Sequence, residues 1–528
     1  MRLILAALAV ACCVLYYVAK FVRSYYKAYQ HLKVVPGPPR DNLILGHVKD
    51  LFLDPADFIE ESRERLKLYG PIQKVFLITH PFVLVAGAQY AEVFFTNKHL
   101  QCKSELYRFM HFWLGQGLLT ACGPRWQKSR KLLTPSFHFN ILSRFCDAFT
   151  DNSLTLVEKV HEAGGVSIDV FKLMGLIALD NLCDTAMGVK IDALRDPKNL
   201  KYIIATEEAT HTMMSRMFKP WLWNDSSFYM LSIGRKLRKD VDIVNKINHK
   251  IIEKRRIIRA LKDKEEQSKS ESEESQLDDS FESTDSNSST GKGKKNLIFL
   301  DQLIEAVEDG SFPFSEQDMR DEVATFMFEG HDTTTSALAF TVWLLGLHPE
   351  CQEKCYQELH SIFQDSDRRP NMDDLSSMKY LEQCIKEGLR LFPSVPQLSR
   401  EVPCDIPMGD YTLPAGTKFI LSVFGLHRDP KYFPDPEKFD PDRFTPENSK
   451  GRHAYAYAPF AAGARNCIGQ KFAMMEMKIV ISYLIRNFTF KSSYDQSELY
   501  VVFALILRSA KNLEMTFTPR RKYQNSLP

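Results

Sequence analysis

The ten residues Phe460-Ala461-Ala462-Gly463-Ala464-Arg465-Asn466-Cys467-Ile468-Gly469 constrain this chain more than any others. They form a glycine-rich loop that delivers one cysteine to the start of a helix running through Phe472 and Met475. A thiolate at a helix start is stabilised by unpaired backbone amides and by the helix dipole. The glycines let N–H groups turn toward the sulfur, and Arg465 supplies a cation. Read alone, the segment fits a redox thiol, a nucleophile or a buried structural cysteine, the last being the commonest state of a lone Cys.

The other end of the chain carries a targeting signal. Leu3 to Ala19 is unbroken apolar sequence, about 26 Å long as a helix at ~1.5 Å per residue. Phe21 and Val22 extend it if Lys20 snorkels, enough to span a hydrocarbon core. Lys20, Arg23, Lys27 and Lys33 follow the run and only Arg2 precedes it, so the positive-inside rule leaves the bulk of the protein in the cytosol. We expect a transmembrane anchor over 1–22, a basic, proline-rich linker over 23–40 and a catalytic domain over 41–528. Pro36-Gly37-Pro38-Pro39 reads as a stiff extended spacer. A cleaved signal peptide would carry its charge on the other side of the run, and would make the sequons at Asn224, Asn287 and Asn487 luminal.

A formal net charge of +2 gives no global attraction to nucleic acid. The 11 cysteines are odd in number and lack framework spacing, which suits free thiols in a reducing compartment better than a secreted disulfide scaffold. Cys351 and Cys355 share a helix face, but no His or second Cys pair stands near to complete a metal site.

Between Asp57 and Arg259 the pattern is mostly helical, except for a hairpin expected over Val75 to Ala86 around Thr79-His80-Pro81. Residues 263 to 296 are rich in Ser, Glu, Asp and Lys and read as a disordered surface insertion. Asp318 to Leu347 is the longest helical candidate, closed by His348-Pro349 and roughly 45 Å long. Polar from Glu329 to Thr335, it reads as a core helix carrying a site. After Pro393 short strands and coil lead to the cysteine loop. The fold class is mainly α with small β-sheets.

The cysteine segment resembles the haem-binding signature of the cytochrome P-450 family, F-x-x-G-x-R-x-C-x-G, at every fixed position. The resemblance implies that Cys467 is the axial ligand of haem iron, that Arg465 contacts a haem propionate and that Phe460 packs beside the sulfur. Glu387 and Arg390 resemble the family's E-x-x-R, joined by Arg443 of Pro441-Asp442-Arg443-Phe444 in a structural network that holds the cysteine loop. Trp126 and Arg130 resemble W-x-x-x-R on the helix at the haem edge, where a guanidinium pairs a propionate. Arg400 matches a further propionate-reaching position. Arg125, Lys128 and Lys131 form a second stripe of that helix, expected to face solvent and dock an acidic electron donor. Gly330-His331-Asp332-Thr333-Thr334 resembles the oxygen-activation motif: the glycine opens the helix, Thr333 is the hydrogen-bond donor to dioxygen and Asp332 the carboxylate of the proton relay.

Phe326 to Thr334, Trp113-Leu114-Gly115-Gln116-Gly117-Leu118-Leu119 and Pro459 to Ala473 look like family 4, the branch rich in fatty-acid ω-hydroxylases. Ala461 and Ala464 stand where that branch usually has Ser and Pro. Its equivalent of Glu329 can form an ester with a haem methyl. The resemblance thus implies an endoplasmic-reticulum monooxygenase with haem b, dioxygen and electrons from NADPH through cytochrome P-450 reductase, with cytochrome b5 as a second donor. Its substrate would be a fatty acid hydroxylated near its far terminus, reached along helices flanking Trp221-Leu222-Trp223. Isoprenoid hormones, alkanes or xenobiotics suit the same chemistry. A reductase-independent isomerase or dehydratase has little use for Asp332 and Thr333, and a haem gas sensor has none for a lipid anchor.

Overall fold

The capped helix expected over Asp318 to Leu347 forms, and the rest of the chain is arranged around it. The computed structural model describes residues 2–42, 46–53, 55–77, 80–274, 297–310, 314–364 and 366–520. In chain order, α1 (Arg2–Leu32) and α2 (Pro55–Tyr69) precede a hairpin, β1 (Ile72–Leu77) and β2 (His80–Val85). Then come α3 (Gly123–Leu133), α4 (Val170–Thr185), α5 (Leu200–Phe218) and α6 (Ser232–Glu274). The central helix is α7 (Glu316–Leu347), followed by α8 (Lys379–Leu391), β3 (Gln397–Glu401), β4 (Lys418–Ser422) and α9 (Gln470–Asn487).

α7 starts in a capping box, in which Ser315 and Asp318 satisfy each other's backbone N–H. From Met319 onward it is largely buried, packed against α4, α6, α8 and α9. The four-stranded sheet has the order β1-β2-β4-β3, with β2 and β4 parallel and the other neighbours antiparallel. The expected hairpin is present, with Val75 opposite Phe82 and Leu77 opposite His80; Thr79 of its turn lies outside the described residues.

The N-terminal segment departs from the expected division. α1 is one backbone helix through residue 22, so that boundary falls inside an element. The apolar run of the expected anchor lies largely on side chains outside the described residues. Among the described residues no helix is long and apolar enough to cross a membrane. Nor is the proline segment a free spacer. Pro36 O accepts from Lys74 N at 2.8 Å, Lys33 O from Lys74 Nζ at 3.0 Å and Pro38 O from His47 Nε2 at 3.0 Å. Prolines offer carbonyls without an N–H, and β1 is an edge strand with donors to cover. Leu32 and Val35 are buried in the same cluster as Phe76.

Two further expectations change. α6 runs on to Glu274, so residues 263–274 of the expected disordered insertion are helical, consistent with the good helix propensity of Lys and Glu. Residues 275–296 lie outside the described residues. Cys102 and Cys122 form a disulfide, their Cα atoms 5.2 Å apart; pairing depends on local geometry, which cysteine count does not reveal.

His427 and His331 are fully buried. Burial, reinforced at His427 by Arg390 and Arg428, lowers them to about 3 and about 4 respectively. Both therefore stay neutral in the fold and protonate on unfolding near pH ~6.5. Their contribution is complete above that pH and is lost as pH falls toward the folded values. We expect a lower melting temperature at pH 5 than at pH 7, with each histidine contributing roughly 2 kcal/mol to the difference. A His427→Gln variant with an undiminished pH slope would exclude this assignment.

Candidate functional site

Gly463 shapes the cysteine loop. Its φ is +70°, and a Cβ there would lie 2.2 Å from Phe95 O, so the turn closes only with glycine. The chain then returns Cys467 N to Phe460 O at 2.9 Å. α9 begins just beyond, with Gly469 as its N-cap. The sulfur faces a cavity of about 220 Å³, so Cys467 has open surface although it lies deep in the fold. Burial and the Glu329 carboxylate push its thiol up to about 11, against the Gly469 N–H and Arg130. The protein alone keeps the sulfur protonated, and a further positive centre beside it is needed to favour ionisation.

Lys103, Arg130 and Arg465 line this cavity, while Arg400 does not. Arg130 of α3 donates Nη1 to Asn466 O and Nη2 to Asn466 Oδ1, both at 2.8 Å, clamping the cysteine loop. Arg465 donates to Gln101 O at 2.9 Å and to Ala121 O, with its guanidinium 4.6 Å from the centre of the buried Trp126 ring. Arg400 of β3 is 2% exposed and donates to Ser399 O at 3.2 Å. Lys103, which sequence reasoning missed, lines the cavity with Tyr107 and pairs through its backbone with Arg400. Burial, then repulsion from Arg400 and Arg465, holds its ammonium well below the ordinary value. Arg465 is likewise lowered to about 9, by burial first and then by Arg400. Against this cluster stands Glu329, raised by burial to about 7 while Lys103, Arg465 and Arg130 pull it down. A thiol facing more cations than anions fits an iron porphyrin with two propionates.

One face of α7 forms a wall. Glu329, Gly330, Thr333, Thr334 and Ala337 line the cavity at helical spacing. Thr333 Oγ1 donates to Glu329 O at 2.6 Å, and Ser394 Oγ donates to Thr333 O at 2.8 Å. Asp332 is not in that wall. Its buried carboxylate accepts from Arg508 through Oδ1, while Oδ2 has no partner among the described residues. The expected relay therefore starts with its two members on different faces, because adjacent helical residues point about 100° apart. α7 runs unbroken through Gly330. A Cβ there would meet Leu182 Cδ1 at 2.7 Å, so the glycine admits α4 against α7.

A second chamber of about 180 Å³ meets the first along Tyr107, Leu119, Glu329, Thr333, Val395 and Leu398. Phe58 of α2, Met214, Met217 and Phe218 of α5, and Phe503 give it an apolar surface. Of the helices expected to flank an access path, α5, which precedes Trp221, contributes; no residue of 224–274, which follow Trp223, lines this chamber.

Behind the cysteine loop, Glu387 and Arg390 are both fully buried. Arg390 donates Nε to Glu387 Oε2 at 2.7 Å and Nη2 to Oε1 at 2.8 Å, and also reaches the carbonyls of His427, Pro436 and Lys438. Asp440 N donates to Glu387 Oε1 at 2.9 Å, and Arg443 Nε lies 3.4 Å from it. Arg125, by contrast, is not on a free basic stripe. It pairs with Asp318 at 2.5 Å and donates to Gln116 O at 3.0 Å, joining α3 to the start of α7. Lys131 remains exposed. The Trp113–Leu119 motif acquires a role as well. Gln116 N and Leu118 N donate to Asp321 and Glu322 at 2.8 and 2.9 Å, fastening to α7 the loop that presents Leu119 to both cavities.

A family model described as Cytochrome P450 matches residues 36–517. Among curated relatives, "Cytochrome P450 4V2" of Homo sapiens is 37% identical over 495 residues, covering 93% of this chain and 91% of its own. "Cytochrome P450 4c3" of Drosophila melanogaster is 38% identical over 496 residues, covering 93% and 90%. "Cytochrome P450 4V2" of Mus musculus is 37% identical over 495 residues, covering 92% and 90%.

Glu387→Ala would strand the Arg390 guanidinium in the interior, at a cost of about 3–5 kcal/mol. We expect the variant to be recovered without bound haem; a normal haem absorption spectrum would refute the role given to this network.

Proposed function

The chain belongs to the cytochrome P450 family and is a monooxygenase of its family 4, and within that class we propose that it hydroxylates a long aliphatic chain of the fatty-acid type near the end farthest from its polar group. The observation that carries this reading is the junction of two cavities at Glu329 and Thr333, one faced by Cys467 and the other walled by apolar side chains. An extended hydrocarbon entering the apolar chamber end-on would present its terminus there. Enzymes of this family use haem-thiolate iron, dioxygen and electrons from a reductase.

In this proposal Cys467 would hold the haem iron through its thiolate, with Phe460 packed beside the sulfur. Trp126, Arg130, Arg400 and Arg465, joined by Lys103, receive the propionates, whose charge offsets the excess of cations. Thiolate-ligated haem supplies the oxygen activation. Glu387, Arg390 and Arg443 fix the loop. Thr333 Oγ1 donates toward the reacting oxygen once it releases Glu329 O, and Asp332 exchanges a proton once it turns from Arg508. Glu329 would be joined to a haem methyl as an ester, the acid O–H and one methyl C–H giving up two protons and two electrons to dioxygen; burial raises the acid to about 7. The segment 1–22 anchors the chain in the endoplasmic reticulum membrane with residues 41–528 in the cytosol. Cytochrome P-450 reductase, and cytochrome b5 as a second donor, bring NADPH-derived electrons to a face that includes Lys131 but not Arg125.

Purified enzyme with purified reductase should consume oxygen and NADPH in the presence of a lipid library and yield chains hydroxylated at or next to the terminus. Mid-chain products, or rearrangement without NADPH, would overturn the reading. Haem should resist extraction into acidified organic solvent from the parent and extract freely from Glu329→Ala. Free extraction from both would remove the ester alone.

A further inference from the structure

Cys102 and Cys122, 20 residues apart in the chain, meet beside the Arg465 clamp with their Cα atoms 5.2 Å apart. Cys146, Cys183, Cys351, Cys355 and Cys384 are buried, out of reach of a solvent-borne reagent. This pair differs, since Cys122 is exposed and Cys102 half-buried. Cys122 is also the N-cap residue of α3, and its side chain makes no capping hydrogen bond. A thiolate there stands at the positive end of an 11-residue helix, which favours the reactive form. A disulfide within reach of solvent exchanges with thiols, whereas one sealed in a core is a permanent staple.

The position of the pair says what the bond would control. Arg465 donates Nε to Gln101 O at 2.9 Å and Nη2 to Ala121 O, the carbonyls immediately before Cys102 and Cys122. One guanidinium from the cysteine loop and one sulfur–sulfur bond therefore join the same two segments. Beyond Cys102, Lys103 lines the haem cavity and bridges through its backbone to Arg400. Beyond Cys122, α3 brings Trp126 and Arg130 to that cavity. The loop closed between them carries Tyr107 and Leu119, which line both chambers. Opening the sulfur bond leaves the hydrogen bonds of Arg465 to hold the two segments together at this edge.

We propose that Cys102 and Cys122 are a peroxide-responsive thiol pair whose oxidation locks the cationic edge of the haem cavity. In the oxidising direction the Cys122 thiolate attacks hydrogen peroxide and the O–O bond breaks. A sulfenic acid forms, and the departing hydroxide takes up the thiol's proton as water. The Cys102 sulfur then attacks the Cys122 sulfur, the S–O bond breaks, and the second oxygen leaves as water with the Cys102 proton. Two thiols thus lose two electrons and two protons, and one peroxide becomes two waters. Two glutathione thiols reverse the bond by exchange and leave as glutathione disulfide. The inference goes beyond the hydroxylation reading and is independent of the substrate.

The test treats purified full-length holoenzyme either with reduced glutathione or with stoichiometric hydrogen peroxide. Alkylation under native conditions, mapped by mass spectrometry, then reports each thiol. We expect Cys102 and Cys122 to be alkylated after glutathione, protected after peroxide, and interconverted over repeated cycles. On warming, the haem–thiolate absorption band should persist at least about tenfold longer in the oxidised protein, a modest share of what one loop-closing bond contributes. A variant carrying both Cys102→Ser and Cys122→Ser should lose the band at the rate of the reduced parent after either treatment. A bond that glutathione does not open, thiols that peroxide does not join, or equal band lifetimes in the two states each overturn the proposal. So does a redox difference that survives in the double variant. If the double variant does not take up haem, the two states of the parent decide. Hydroxylation is read separately from its products, so none of these failures bears on it.

Discussion

The carboxylate of Glu387 is the point on which the site's construction depends. It has no contact with solvent and holds Arg390 through both oxygens, and Arg390 spends its remaining donors on the carbonyls of His427, Pro436 and Lys438. Buried ion pairs do not by themselves add much stability, because desolvation offsets their attraction. What this pair contributes is position. Three carbonyls from the irregular chain before the cysteine loop are gathered onto one guanidinium, in a stretch without a sheet ladder to order it. His427 passes the order onward, since its Nε2 accepts from Ala458 N immediately before the loop.

From that point the chemistry is a matter of charge balance. The interior concentrates Lys103, Arg130, Arg400 and Arg465 against Glu329, an arrangement that is costly without further anions. The sulfur has the complementary need, because burial holds it protonated unless positive charge comes close. A group bearing a cation at its centre and carboxylates at its rim answers both. The preference for such a group is therefore distributed across α3, β3, α7 and two loops, and does not reside in the cysteine alone.

Much of this was legible in the sequence because certain residues tolerate few alternatives. Gly463 must accommodate a positive φ beneath Phe95 O, and the Glu387–Arg390 spacing needs a single helical turn, so both leave a fixed pattern. The extent of α7 was likewise readable from its cap and its closing proline. The rest depended on partners far apart in the chain. Nothing around Arg125 announces Asp318, nothing around Asp332 announces Arg508, and Lys103 joins the cationic cluster only because β3 lies beside it. Composition also misled where it stood in for conformation: residues 263–274 are as polar as a disordered tail and yet continue α6.

The strap from Lys33 to Pro38 has a mechanical consequence. Held to Lys74 by both backbone and side chain, and packed through Leu32 and Val35, it leaves no slack between α1 and the sheet. A flexible leash would let the globule swivel about its tether. This connection behaves instead as a bracket, and any tilt imposed on α1 is carried directly into β1, the strand whose inner face bounds the outer chamber.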